Sequence, residues 1–165
     1  MIYLVDGHNL IPKVPGFSLK SMDDEMQLVE LLQIFARVKR KKVEIYFDNA
    51  AIGKAGTRKI GMVTAHFIRQ GSSADQAIRQ RLGKSIKENH DYRVVTSDQA
   101  VQHAARQNHA DFQSSESFVK EILDGLNQSN LVSKSVDKKV DEEEVNEWLE
   151  VFTQSKSNND DKSKS

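Results

Sequence analysis

Ile2-Tyr3-Leu4-Val5 is a short apolar run of β-forming residues that stops abruptly on Asp6-Gly7-His8-Asn9. Such a run suits a strand buried on both faces, as in a parallel sheet covered by helices on each side. The pattern returns three times: Val43-Glu44-Ile45-Tyr46-Phe47 halts at Asp48, Met62 to Ile68 forms a third strand, and Arg93 to Thr96 runs into Ser97-Asp98. Helical stretches separate these runs. Met22 to Val38 has apolar residues at helical spacing, with Asp23, Asp24 and Glu25 in its first turn and a basic end from Arg37 to Lys42. Both placements favour the helix dipole. Gly71-Ser72-Ser73 leads into a helix over about 74–89, Ser97-Asp98 into one ending near Gln107, and an extended piece near 110–113 precedes a helix over about 115–127. Strands alternating with helices need right-handed crossovers, so the expected fold is α/β, a three-layer α/β/α sandwich around a mostly parallel sheet. Residues 49–61, with three glycines and Lys54, Arg58 and Lys59, read as a flexible basic loop.

At 165 residues the chain holds about one domain. The domain is expected over residues 1–127, followed by a polar tail over 128–165 rich in Ser, Lys, Asp and Asn, with its last dozen residues disordered. Within the tail, residues 140–152 suit a short amphipathic helix with Val145, Trp148, Leu149 and Phe152 on one face. That face would dock on the domain, on a protein partner or on a second copy. No apolar run approaches the roughly 20 residues that cross a bilayer, and the opening lacks the pattern of a secretory signal. A cytoplasmic protein without membrane contact is expected. The chain has no cysteine, which excludes disulfide scaffolds, thiol nucleophiles and cysteine metal sites. Net charge is zero, yet residues 1–125 hold 18 basic and 15 acidic residues while residues 126–165 hold 6 and 9. A body at +3 is too weakly basic to argue nucleic-acid binding from charge alone.

The informative recurrence is where the acids fall. Asp6, Asp48 and Asp98 each follow an apolar strand, and the carboxyl ends of strands line the crevice of an open α/β sheet. Carboxylates gathered there repel, by roughly 4 kcal/mol for a pair about 4 Å apart at an effective dielectric of about 20. A divalent cation relieves that repulsion, and oxygen-only donors without a His set suit Mg²⁺ or Mn²⁺ rather than zinc. Asp75, in the first turn of its helix with Arg79 at i+4, is a fourth candidate. Each acid also has a plainer reading: Asp6-Gly7 and Asp48-Asn49 as turns, Asp98 as a helix N-cap, Asp75 as an anion at a helix start. His66, within a strand, is expected to be packed or hydrogen-bonded, while His8 lies near Asp6 and within reach of a substrate. Neither the phosphate-loop nor the dinucleotide glycine pattern is present.

Leu4-Val5-Asp6-Gly7-His8-Asn9-Leu10-Ile11 resembles the opening D-G-x-N-[LV]-I signature of the YacP-like branch of NYN domains, within the PIN-like nucleases. Tyr46-Phe47-Asp48, Gly71-Ser72-Ser73-Ala74-Asp75 and Val94-Val95-Thr96-Ser97-Asp98 follow in the family's order, so the resemblance spans about residues 1–125. It implies a PIN-like sandwich and an endoribonuclease that hydrolyses RNA with metal-activated water at an aspartate cluster. Carried over by position, Asp6, Asp75 and Asp98, with Asp48, would surround Mg²⁺ or Mn²⁺, and Asn9 would join the catalytic set. Asn9, Asp48 and Ser97 would orient ligands, and Lys54, Arg58, Lys59, Arg69 and Arg79 would steer the RNA backbone through its phosphates. The RNA could be free or presented by a ribosome or other assembly. Two other classes compete: a non-catalytic RNA-binding adaptor, and a Mg²⁺-binding receiver-like signalling module. The latter wants an acidic pair after the first strand and a Lys at a late strand end, whereas Asp6 is single and Lys120 lies in a helix.

Overall fold

A computed structural model of the chain describes residues 1–15, 23–88, 91–133 and 149–150. Among the described residues six strands form one sheet: β1 (Ile2–Asp6), β2 (Lys42–Ala50), β3 (Gly56–Ile60), β4 (Val63–Arg69), β5 (Tyr92–Val95) and β6 (Asp111–Gln113), in the order β3-β4-β2-β1-β5-β6. All neighbours run parallel except β3, which is antiparallel to β4. The helices are α1 (Gly7–Leu10), followed by a 3-10 turn over Ile11–Lys13, α2 (Asp23–Lys39), α3 (Ala74–Glu88), α4 (Gln99–Gln107) and α5 (Ser115–Ser133).

Alternation along the strands builds two cores. Tyr3 and Val5, Val43, Ile45 and Phe47, Val63 and Ala65 face one side, where α2, α5 and the α1 turn cover them. Leu4, Tyr46, Tyr92 and Val94 face the other side, under α3 and α4. The three-layer sandwich is therefore as the strand runs predict. β1 sits at the centre, and the chain leaves it for β2 through α2 on one face but leaves β5 for β6 through α4 on the opposite face. Right-handed crossovers in opposite directions force that split, and they open a crevice at the carboxyl ends of β1 and β5.

Three expectations are corrected. Residues 56–60 are not part of a loop but an edge strand, turning at Gly61 (φ 61°) into β4. Its Thr57, Arg58 and Lys59 are exposed, so pairing to β4 overrides a composition that reads as loop, and the cations keep the open edge from pairing further. β2 does not halt at Asp48; it runs on to Ala50 through an irregularity in its pairing with β4, at which Asn49 adopts φ 56°. α5 continues to Ser133, past the expected boundary at 127, because each further residue adds a backbone hydrogen bond to a helix already anchored by Phe118, Ile122 and Leu126. Of the tail helix expected over 140–152, Val145, Trp148 and Phe152 lie outside the described residues, as do the last dozen; Leu149 is partly buried and packs against the core of α2 and α5.

Candidate active site

β1 delivers Asp6 between β2 and β5, which carry acids at or just past their carboxyl ends: Asp6 is level with Tyr46 of β2, two residues before Asp48, and Val5 is level with Val95 of β5, three before Asp98. The next residue must be glycine. A Cβ on Gly7 would drive into the ring of Phe47 and lie 2.9 Å from the Tyr46 carbonyl oxygen, so the backbone after Asp6 presses directly on β2. Burial pushes the Asp6 carboxyl up to about 6, with the negative charges of Asp48 and Asp98 adding to the rise. The Asn9 backbone N–H and the His8 charge pull it back down, although Asp6 makes no cap hydrogen bond to α1. Asp6, Asp48 and Asp98 thus share one electrostatic site.

The other two acids in that site have partners of their own. Asp48 Oδ1 lies 2.6 Å from His8 Nδ1, and His8 Nε2 lies 2.9 Å from Glu25 Oε1 at the start of α2. Burial alone would lower the His8 pKa, but hydrogen bonds to Glu25 and Asp48 and their charges outweigh it and raise it. Asp98 caps α4, its Oδ1 accepting from the Ala100 N–H at 2.8 Å, so its N-cap reading is correct and coexists with its place beside Asp6.

Asn9 is held by a staple across the crevice. Its Oδ1 accepts from the Ser97 backbone N–H at 2.9 Å and from the Ser115 hydroxyl at 2.6 Å. A backbone N–H can only donate, which fixes the amide with its oxygen inward and leaves both N–H groups of Nδ2 without a partner among the described residues. Ser97 Oγ accepts from the Ser115 N–H at 3.2 Å and donates to Glu116 at 2.8 Å, and Lys13 lies 3.0 Å from Glu116. The Glu116 carboxyl is held down to about 2 by its own backbone N–H, by Ser97 and by Lys13.

Asp75 makes no hydrogen bond to the residues of this arrangement among those described. It sits in the first turn of α3, half-exposed, with its Oδ1 2.7 Å from Arg79 Nε, the i+4 pair its spacing predicts. Among the described residues, no three or more His, Asp or Glu side chains are arranged to hold an ion as they stand. The donor set nonetheless fits a hard dication: carboxylate oxygens near adjacent strand ends, one of them driven toward protonation first by burial and then by the charges of the others. Of the basic residues, Arg69 ends β4, Lys54 lies in the exposed segment before β3, Arg58 and Lys59 lie on β3, and Arg58 covers the ring of Phe67 with its guanidinium 5.6 Å from the centroid. His66 is packed as expected, stacked on Tyr46 at 4.6 Å and hydrogen-bonded to Thr57 at 3.1 Å, and burial lowers its pKa. Glu25, Ser115, Glu116 and Lys13 are the participants that the sequence reading missed. Helix-start acids and serines are common, and nothing local marks them as reaching a site 17 to 106 residues away.

The sequence matches the family model described as YacP-like NYN domain over residues 3–161, well beyond the 1–125 that the motifs reach. The fold is similar to the crystal structure of Rae1 (YacP) from Bacillus subtilis, with a TM-score of 0.69 and 20% identity over 81% of this chain and 80% of that one. It is also similar to a mutant form of the same protein, with a TM-score of 0.64 and 21% identity over 92% of each chain. No curated protein sequence matches the chain. No helix among the described residues is long and apolar enough to cross a membrane.

Proposed function

The chain belongs to the YacP-like NYN domain family, a branch of the PIN-like nucleases, and from that membership and the geometry we propose that it is a metal-dependent endoribonuclease of the cytoplasm. The observation that carries the reading is Asp6: a partly buried carboxyl, raised to about 6 near Asp48 and Asp98 at the carboxyl edge of three adjacent strands. A fold keeps a carboxyl so disfavoured in its charged form where it serves chemistry.

Asp6, Asp48 and Asp98 would hold Mg²⁺ or Mn²⁺, with Asp75 the further acid on the neighbouring helix. When bound, such an ion supplies Lewis-acid polarisation and charge neutralisation for the attack of water on a phosphodiester. The rest falls to the chain's own groups. Asn9, locked by Ser97 and Ser115, offers its Nδ2 hydrogens to a phosphate oxygen. His8 holds Asp48 in place, and its raised pKa favours the charged imidazolium against it. Arg79, Arg69, Lys54, Arg58 and Lys59 supply backbone contacts that position RNA without reading its sequence.

The test uses the full chain, labelled single-stranded RNA, and Mg²⁺ or Mn²⁺ with and without EDTA. Cleavage is expected only with the metal, and Asp98→Asn should lower its rate at least about 100-fold, the upper end of what losing even an outer partner of a metal costs. RNA retained by the wild-type protein but never cut would refute the nuclease and favour the adaptor.

A further inference from the structure

Residues 37–42 (Arg-Val-Lys-Arg-Lys-Lys) place five cations in six positions with no acid among them. They lie where α2 ends at Lys39 and β2 begins at Lys42, on the edge of the sheet opposite the crevice, about 20 Å of strand away from Asp48. Arg37, Arg40 and Lys42 are exposed, and Arg40 turns the chain out of the helix at φ 53°. The negative end of a helix dipole favours cations in its last turn, which accounts for Arg37 and Lys39. Arg40, Lys41 and Lys42 lie past that turn and make no ion pair among the described residues. This basic rim adjoins the end of α5. Lys39 Nζ donates to Gln128 Oε1 at 3.1 Å, and a Cβ on Gly125 would lie 3.4 Å from the Lys39 side chain. α5 runs on from Gln128 to Ser133, about 8 Å at helical rise, so the chain leaves the domain beside the cations. It then returns: Leu149 packs on the core of α2 and α5, whose partly buried border also includes Val38, the residue between Arg37 and Lys39. Just where it returns, residues 141–150 (Asp-Glu-Glu-Glu-Val-Asn-Glu-Trp-Leu-Glu) hold six acids and no base.

We propose that the acidic segment 141–150 docks on the basic rim at the end of α2 of its own chain, so that these cations are neutralised by the chain's own acids instead of by RNA. Two observations select this occupant over a free polyanion. Six acids meet five cations, and the apolar seat of Leu149 holds the acids on the same face of the sheet. Residues 134–148 reach about 50 Å when extended, enough to join Ser133 to Leu149 by way of the rim. A short tether of this kind gives its segment an effective concentration of about millimolar, which an unlinked anion has to exceed. The docking is independent of the nuclease reading: it concerns the opposite edge of the sheet, and it leaves phosphate contacts to the cations outside the rim.

Trp148 is the chain's single tryptophan and adjoins Leu149, so its fluorescence reports on the segment. Acrylamide quenching is measured for the full chain, for Arg40→Glu/Lys42→Glu, for Glu142→Lys/Glu143→Lys/Glu144→Lys, and for the two sets combined, with circular dichroism checking the fold of each. Trp148 should be shielded in the wild type. Either reversal should lower the docked-to-free ratio about tenfold, since one exposed ion pair is worth roughly a factor of three. The combined variant exchanges the signs on both sides and should restore the shielding. A salt series on the wild type needs no variant: 1 M NaCl, which screens exposed charges beyond about 3 Å, should expose Trp148 as the reversals do. Quenching that neither reversal nor salt changes, or that stays high in the combined variant, overturns the docking. Shielding that grows with protein concentration gives the acids to a second copy and overturns docking within one chain. A fluorescent single-stranded RNA in EDTA reads the other occupant: affinity lost in Arg40→Glu/Lys42→Glu while Trp148 quenching stays unchanged assigns the rim to RNA and overturns the proposal. None of these readouts needs cleavage, so the nuclease reading stands or falls separately.

Discussion

Replacing Asp6 with asparagine should make the metal-free protein more stable, although it removes the central acid of the site. The folded Asp6 carboxyl titrates near 6 rather than at 3.8, so folding favours its neutral form and ionising it costs stability. A rise of about two units corresponds to about 3 kcal/mol at 1.36 kcal/mol per unit, a ceiling reached above pH 6. The sign follows from proton uptake. Below the unfolded value both states are protonated and nothing is lost; the loss grows as pH climbs from about 3.8 to 6 and then stays constant. Asparagine is neutral throughout and nearly the same shape. Asp6→Asn should therefore gain about 1–3 kcal/mol at pH 7.5 in EDTA, or roughly 3–10 °C in Tm for a domain of this size. The gain should shrink toward zero below pH 4. Urea and thermal unfolding at both pH values measure it, with Mn²⁺ added in a second series, where the ion should stabilise the parent chain by mass action and erase the variant's advantage. A variant no more stable than its parent at pH 7.5 in EDTA, or a gain that does not fade in acid, refutes the reasoning that the fold disfavours an ionised Asp6.

Gly7→Ala should cost about 1–3 kcal/mol by forcing a methyl into Phe47 and the Tyr46 carbonyl, read as a lower urea midpoint; an unchanged midpoint would mean that the backbone does not press on β2 there. Asn9→Ala leaves the Ser97 N–H and the Ser115 hydroxyl without their shared acceptor and should destabilise by about 1–3 kcal/mol in the same measurement, a result within error of wild type counting against the staple. The His8 imidazole should titrate above its ordinary 6.5 in an NMR pH series and fall back in Glu25→Gln. Its contribution to stability is complete below 6.5 and fades as pH rises through the folded value, so it runs in the same direction with pH as Asp6, in a higher window.

The strands that carry the acids are legible because burial on both faces favours apolar residues along most of their length, so an Asp closing an apolar run marks an edge. β1 and β5 follow that rule. β2 breaks it, since the irregularity near Asn49 lets the strand pass Asp48 instead of ending there. β3 is hidden for the opposite reason: an edge strand needs only one neighbour and may be charged along its length. The pair Asp75 and Arg79 is readable from its i+4 spacing, because a helix fixes that distance locally. The contacts of His8 with Asp48 and Glu25, and of Asn9 with Ser97 and Ser115, join segments that the topology alone brings together. No periodicity encodes them.

Asn9 is fixed by one partner 88 residues downstream and another 106 residues downstream. Every acid of the crevice has left the translation machinery before Ser115 does, yet the amide between them has no second anchor until that serine arrives. A nascent chain ending at Gln113 would carry the whole set of carboxylates with a slack Asn9. The order of synthesis thus leaves Asn9 on a single anchor until the helix that begins at Ser115 starts to form.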